Sequence, residues 1–179
     1  MKKNNLKNYE VDPHSKRGVR YVGIYYTSDM SIKERRKSGL LQMVTGCAEM
    51  LLIFIAVGVN CLGTRTVYVI IPMECILFCA LYYMIGAYTF FCSGDKMEQK
   101  AFERAVENPV QITLVAMILN IVSCLGQIIL IIRKAALFTG YGDYVLLGMF
   151  FVILALHIAM HINQRKLFAR TYPVKQEKH

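Results

Sequence analysis

Apolar residues in this chain gather into four long, nearly unbroken blocks, at Gly39–Leu62, Val67–Phe91, Val110–Ile132 and Tyr144–Asn163. Each block has 20 residues or more and lacks the strict alternation of a half-buried strand. A hydrocarbon core of about 30 Å needs roughly 20 helical residues to cross it. No water is present there to satisfy backbone N–H and C=O groups, so such a block must be helical. The link Gly63–Thr66 has room only for a tight turn, which makes the first two spans antiparallel neighbours. The pattern predicts an all-α membrane protein with four transmembrane helices in two antiparallel hairpins, spans 39–62, 67–91, 110–132 and 144–163.

The polar remainder divides into a basic segment, 1–38, a middle link, and a basic tail, 164–179. Residues 1–18 read as a loosely held tail, and no apolar core of a cleavable signal peptide precedes the first span. "VRYVGIYYTSDMS" (Val19–Ser31) mixes β-branched residues with tyrosines. A lone strand there has no partner, so an interfacial segment with Tyr21, Tyr25 and Tyr26 at the headgroup level is expected. In "SIKE", Ser31 and Glu34 have capping-box spacing, predicting a helix from Ile32 that runs unbroken into the first span. The link Ser93–Pro109 suggests a short amphipathic helix capped by Ser93 or Asp95 and ended by Pro109. Met97, Phe102 and Ala105 would face the membrane surface. Gly140 and Gly142 mark a hinge-like loop before the last span.

Charge adds a direction. Lys and Arg number ten in 1–38, three in 92–109 and five after Asn163, against one in the 63–66 turn and two in 133–143. The positive-inside bias puts both termini and the middle link in the cytoplasm, and so the chain in the plasma membrane. The net charge of +9 then matches an anionic inner leaflet, with no call for nucleic acid. The "KERRK" run (Lys33–Lys37) reads as part of that topology signal.

Polar residues inside the spans are the candidate chemistry. By depth they form two sets: Glu49 with Asn120 near mid-membrane, and Glu74 with Gln127, joined by Asn60, in the outer half. His157 lies in the inner half of the last span. A carboxyl and an amide can satisfy each other, so the sets serve either as helix-to-helix pins or as a proton- or cation-handling site. Pro72 leaves the Tyr68 carbonyl without its helical donor, a polar spot two residues from Glu74. His157 and His161 share a helix face, but no further ligands at their depth complete a metal or haem site. The six cysteines include no C-x-x-C and read as small apolar packers. Gly39 and Gly46, and the stripe Gly148, Ala155 and Ala159, suit close packing between helices of one chain. No nucleophile or acid/base pair suggests an enzyme, and no cofactor is called for.

A basic lead-in carrying "YVGIYY" (Tyr21–Tyr26) ahead of four spans in two hairpins resembles small uncharacterised four-span membrane proteins of Gram-positive bacteria. That resemblance implies no particular activity. The chain is also similar to small multidrug-resistance transporters, which have four spans and one essential glutamate in the first. Glu49 is the matching residue by span alone. A long basic N-terminus, absent tryptophan, longer loops and a second intramembrane glutamate depart from that pattern. The sequence thus suggests an accessory or interaction subunit, bound to a protein partner or a second copy. A proton-coupled transporter using the intramembrane glutamates is the alternative. Topology reporters fused after Asn163 and within Gly140–Asp143 should give opposite readouts; matching readouts would overturn the four-span arrangement.

Overall fold

A computed structural model describes residues 9–11, 19–134 and 141–174. The Lys/Asn-rich stretches around Pro13 and the expected hinge at Gly140 lie outside them. Four helices are long and apolar enough to cross a membrane, and the chain is a four-span membrane protein. Helix α1 spans Ile32–Gly58, α2 Val67–Cys92, α4 Asn108–Lys134 and α5 Gly142–Ala169. Successive helices pack antiparallel, and α5 returns against α1 to close the bundle. The expected capping box opens α1: the Ser31 hydroxyl accepts from the Glu34 N–H, and the Glu34 carboxylate accepts from the Ser31 N–H at 2.9 Å. The link after α1 is a single 3-10 turn, Gly63–Arg65.

The segments expected to be tail, interfacial loop and amphipathic helix instead fold together at one end. Strand β3 (Tyr25–Ser28) pairs antiparallel with β4 (Lys96–Glu98) and with β5 (Thr171–Val174). The lone strand of the sequence reading therefore has two partners, both far away along the chain. Strands β1 (Tyr9–Val11) and β2 (Val19–Tyr21) form a hairpin, so part of the supposed tail is ordered too. Tyr9 docks this hairpin by donating to Glu98 Oε2 at 2.6 Å. The hydrogen bond to that carboxylate, with partial burial, pushes the Tyr9 phenol up to about 12.

Met97, Phe102 and Ala105 do not face the membrane surface. They are buried with Phe90, Val106 and Leu167 in a second small core between the sheet and the helix ends. Tyr26 stacks flat on Phe102, with ring centroids 3.9 Å apart. Nor does Pro109 end a separate helix. Helix α3 (Gln99–Phe102) runs through a π turn (Glu103–Glu107) into α4. In the π turn the Asn108 N–H reaches the Glu103 carbonyl, a five-residue step that loosens the backbone just before the proline ring.

Gly86 of α2 lies against this turn. A Cβ there would stand 2.8 Å from the Arg104 carbonyl oxygen and 2.7 Å from Pro109 Cγ. Gly39 and Gly46 similarly let α1 approach Phe91 and Met84 of α2. Gly148 has nothing within 4 Å and faces outward with Ala155 and Ala159, so that stripe is not internal packing. Gly86→Ala should destabilise the protein by about 1–3 kcal/mol, the usual cost of overpacking. Gly94→Ala, which meets open space, should be near neutral. Thermal unfolding of the purified protein in detergent checks the pair.

Candidate intramembrane polar site

Buried positions of α1 fall at Arg35, Gly39, Gln42, Gly46, Glu49, Ile53 and Ala56, in alternating steps of four and three. The other spans keep the same step, as in the run from Asp143 through Leu146, Phe150, Ile153 and His157 on α5. This is the seven-residue repeat of helices wound around each other with a left-handed twist. Polar side chains occupy the repeat on three helices: Arg35, Gln42 and Glu49; Thr113, Asn120 and Gln127; Asp143, His157 and Gln164. Each lies on the bundle axis because its neighbours seven residues away do.

At the centre, Glu49 Oε1 lies 2.6 Å from His157 Nε2, and both side chains are 1% exposed. Asn120 joins on the other side of the ring. Its amide Nδ2 donates to the Phe150 carbonyl at 3.2 Å and lies 3.5 Å from His157 Nδ1. The bond to Phe150 fixes which end of the amide carries hydrogens, so His157 Nδ1 faces a donor and serves as acceptor. The ring hydrogen then belongs on Nε2, from which it is donated to Glu49. A proton added at Nδ1 would set two donors face to face. The Cys124 thiol completes the set by donating to Asn120 Oδ1.

A separate knot closes the end away from the sheet. The Asp143 carboxylate accepts from the N–H groups of Gly63 and Leu62 at 2.8 and 3.3 Å and from Gln127 Nε2 at 2.9 Å. Gly63 is required here, since a Cβ would run into the Gln127 side chain and Leu146. Asp143, read from sequence as part of a loop, is thus a buried structural residue.

The depth-based sets are therefore regrouped. Glu49 and Asn120 do share a site, with His157 between them. Gln127 is bonded to Asp143, not Glu74, and Asn60 accepts from Arg65 at 2.7 Å. Glu74 is exposed on the outer face of α2, one position off the buried seam through Met73 and Ile76. The gap left by Pro72 faces α4: Ser123 Oγ donates to the Val69 carbonyl at 3.5 Å, and Gly126 sits beside the Tyr68 carbonyl. His161 bonds Thr113 at 3.1 Å and does not join His157. Among the described residues, no three His, Cys, Asp or Glu side chains converge as a metal would need. All six cysteines are free thiols. Set against protein-family models, curated proteins and solved structures, the chain matches none.

A double-mutant cycle on Glu49→Gln and His157→Gln, read by unfolding in detergent, should give a coupling of about 0.5–3 kcal/mol, as for residues in one network. Replacing Glu49→Gln by Glu74→Gln in the cycle should leave the two changes additive within about 0.3–0.5 kcal/mol.

Proposed function

We propose that this four-span membrane protein is a non-enzymatic interaction subunit of the plasma membrane that binds a partner helix through Glu74 on the outer face of α2. Glu74 sits between Ile71 and Phe78, which are 51% and 71% exposed on the same face, as lipid-facing residues are. That placement is the observation that carries the reading. A charged side chain costs about 2.5–3.5 kcal/mol at the bilayer centre and less towards its edge, and among the described residues no group is bonded to Glu74 to repay even part of it. A partner helix with an ammonium, guanidinium or amide donor at matching depth would repay it, whether from another protein or a second copy.

The sheet end is taken as cytoplasmic. Strands drawn from the N-terminal segment, the middle link and the tail meet there, and these three segments together hold 18 of the 21 Lys and Arg residues, which supports a positive-inside reading.

A photoreactive residue placed at Phe78 in native membranes should give a discrete protein adduct that Glu74→Leu abolishes. The same probe at Phe54, on the exposed face of α1, should not. Adducts with lipid alone at Phe78 would refute the reading. A second reading, a proton-coupled transporter, is favoured by the buried Glu49–His157 pair. Proton flux into proteoliposomes that Glu49→Gln eliminates would place it first.

A further inference from the structure

Three spaces adjoin one another along the seam between α1 and α5. A cleft of about 420 Å³ opens at the sheet end, lined by Met30, Ser38, Asn163, Lys166 and Arg170 among others. Asn163 also lines the next space, a half-open recess of about 140 Å³ bounded by Thr45, Tyr83 and Met160 on its inner side and by the outward-facing Leu41 and Ala159 at its rim. Tyr83 and Met160 in turn line a tight seam beside Glu49 and His157 that has no water-sized room.

Thr45 at the middle recess donates to the Gln42 carbonyl, but several buried polar atoms at this level have no partner among the described residues. The Tyr83 hydroxyl, Gln42 Oε1 and both polar atoms of the Gln164 amide make no hydrogen bond, although Tyr83, Gln42 and Gln164 are each 1% exposed or less. The Tyr83 hydroxyl lies towards Gln164 and Thr45 without a well-formed hydrogen bond to either. Buried polar atoms are satisfied by protein or by ordered water in the great majority of cases. A space of 140 Å³ takes about four waters at roughly 30 Å³ each. At the opposite end, Asp143 ties Leu62, Gly63 and Gln127 together, and among the described residues Gln127 Oε1 is the one open buried side-chain atom there, against four in the Gln42–Tyr83–Gln164 layer.

We infer that water enters between α1 and α5 from the sheet end, fills the Gln42–Tyr83–Gln164 layer, and gives the Glu49–His157 pair proton access from that side alone. Tyr83 and Met160 form the partition between the water and the pair. The groups facing Glu49 are His157 from α5 and Cys79 and Tyr83 from α2. From α4 come only Thr113, which His161 bonds, and Asn120, with the Cys124 thiol behind it. None of these is a lysine or an arginine. At the mouth, Arg170 is paired with Asp29 at 2.8 Å, leaving Lys166 as the local charge. The route stands apart from the Glu74 interaction and holds whichever functional reading prevails.

Hydroxyl-radical footprinting tests it on the unmodified chain in lipid nanodiscs, since radicals generated from bound water oxidise adjacent buried side chains. Met160 and Met73 are equally hidden, at 3% and 1% exposure, but Met73 lies in the dry core with Ile53, Val69 and Phe150. Met160 and Tyr83 should be oxidised at least fivefold faster than Met73. Equal rates for the two methionines would overturn the proposal. Sidedness is read by Thr45→Cys in a chain with its native cysteines replaced, in sealed vesicles of known orientation. A membrane-impermeant thiol reagent should modify it from the sheet side only, and modification from the other side would overturn the one-sided route. If footprinting succeeds while no proton flux is found, the route stands and transport does not. If flux depends on Glu49 and Met160 stays dry, the route fails and transport stands.

Discussion

Inside a hydrocarbon slab a polar side chain can bond only to protein or to water that the protein encloses, and that restriction organises this molecule. Polar groups on α1, α4 and α5 are admitted almost wholly along the seams where helices face one another. There the imidazole of His157 meets Glu49 and Asn120, and the amide of Gln127 meets Asp143. The seven-residue repeat enforces this. An apolar residue substituted along the seam would pack, whereas a polar residue one step off it meets lipid. The same residue type consequently has two fates: Glu49 lies on the seam and is paired, and Glu74 lies off it and has no partner among the described residues.

The two ends of the bundle solve their exposed backbone differently. Between α1 and α2 the link is one turn, too short to fold by itself, so a carboxylate from another helix satisfies its N–H groups. At the sheet end the connections are long and the chain builds a lid of its own. Three strands drawn from before α1, after α2 and after α5 share hydrogen bonds, and Tyr26 stacked on Phe102 ties the sheet to the helix ends. The π turn before Pro109 and the bare Gly86 let α2 come close enough for this small core to form. The Asp29–Arg170 ion pair at its rim is exposed and adds little to that.

Much of the helical architecture was legible in the sequence because it depends on local or composition-level signals. Block length marks the spans, Ser31 and Glu34 mark where α1 begins, and Gly63–Thr66 forces a turn. The sheet was hidden because its pairings are non-local: Tyr25 lies opposite Glu98 and Val174. No property of "VRYVGIYYTS" alone reveals such partners. The polar site was half legible. Counting residues along a span gives depth, and depth put Glu49 with Asn120, which lie on opposite sides of the His157 ring. It says nothing of rotation about the helix axis, which is why Glu74 was wrongly joined to Gln127. The missing signal was present as spacing. Arg35, Gln42 and Glu49 recur every seven residues, as do Thr113, Asn120 and Gln127, and Glu74 belongs to no such series.

The tautomer of His157 shows how that geometry bears on chemistry. The Asn120 amide is oriented by a backbone carbonyl of α5, and it in turn denies the near nitrogen of the ring a hydrogen. The imidazole thus bridges an amide of α4 and a carboxyl of α1 through its two nitrogens, and three helices are tied by one ring. The open groups at Gln42, Tyr83 and Gln164 lie on the side of the bundle from which water can come.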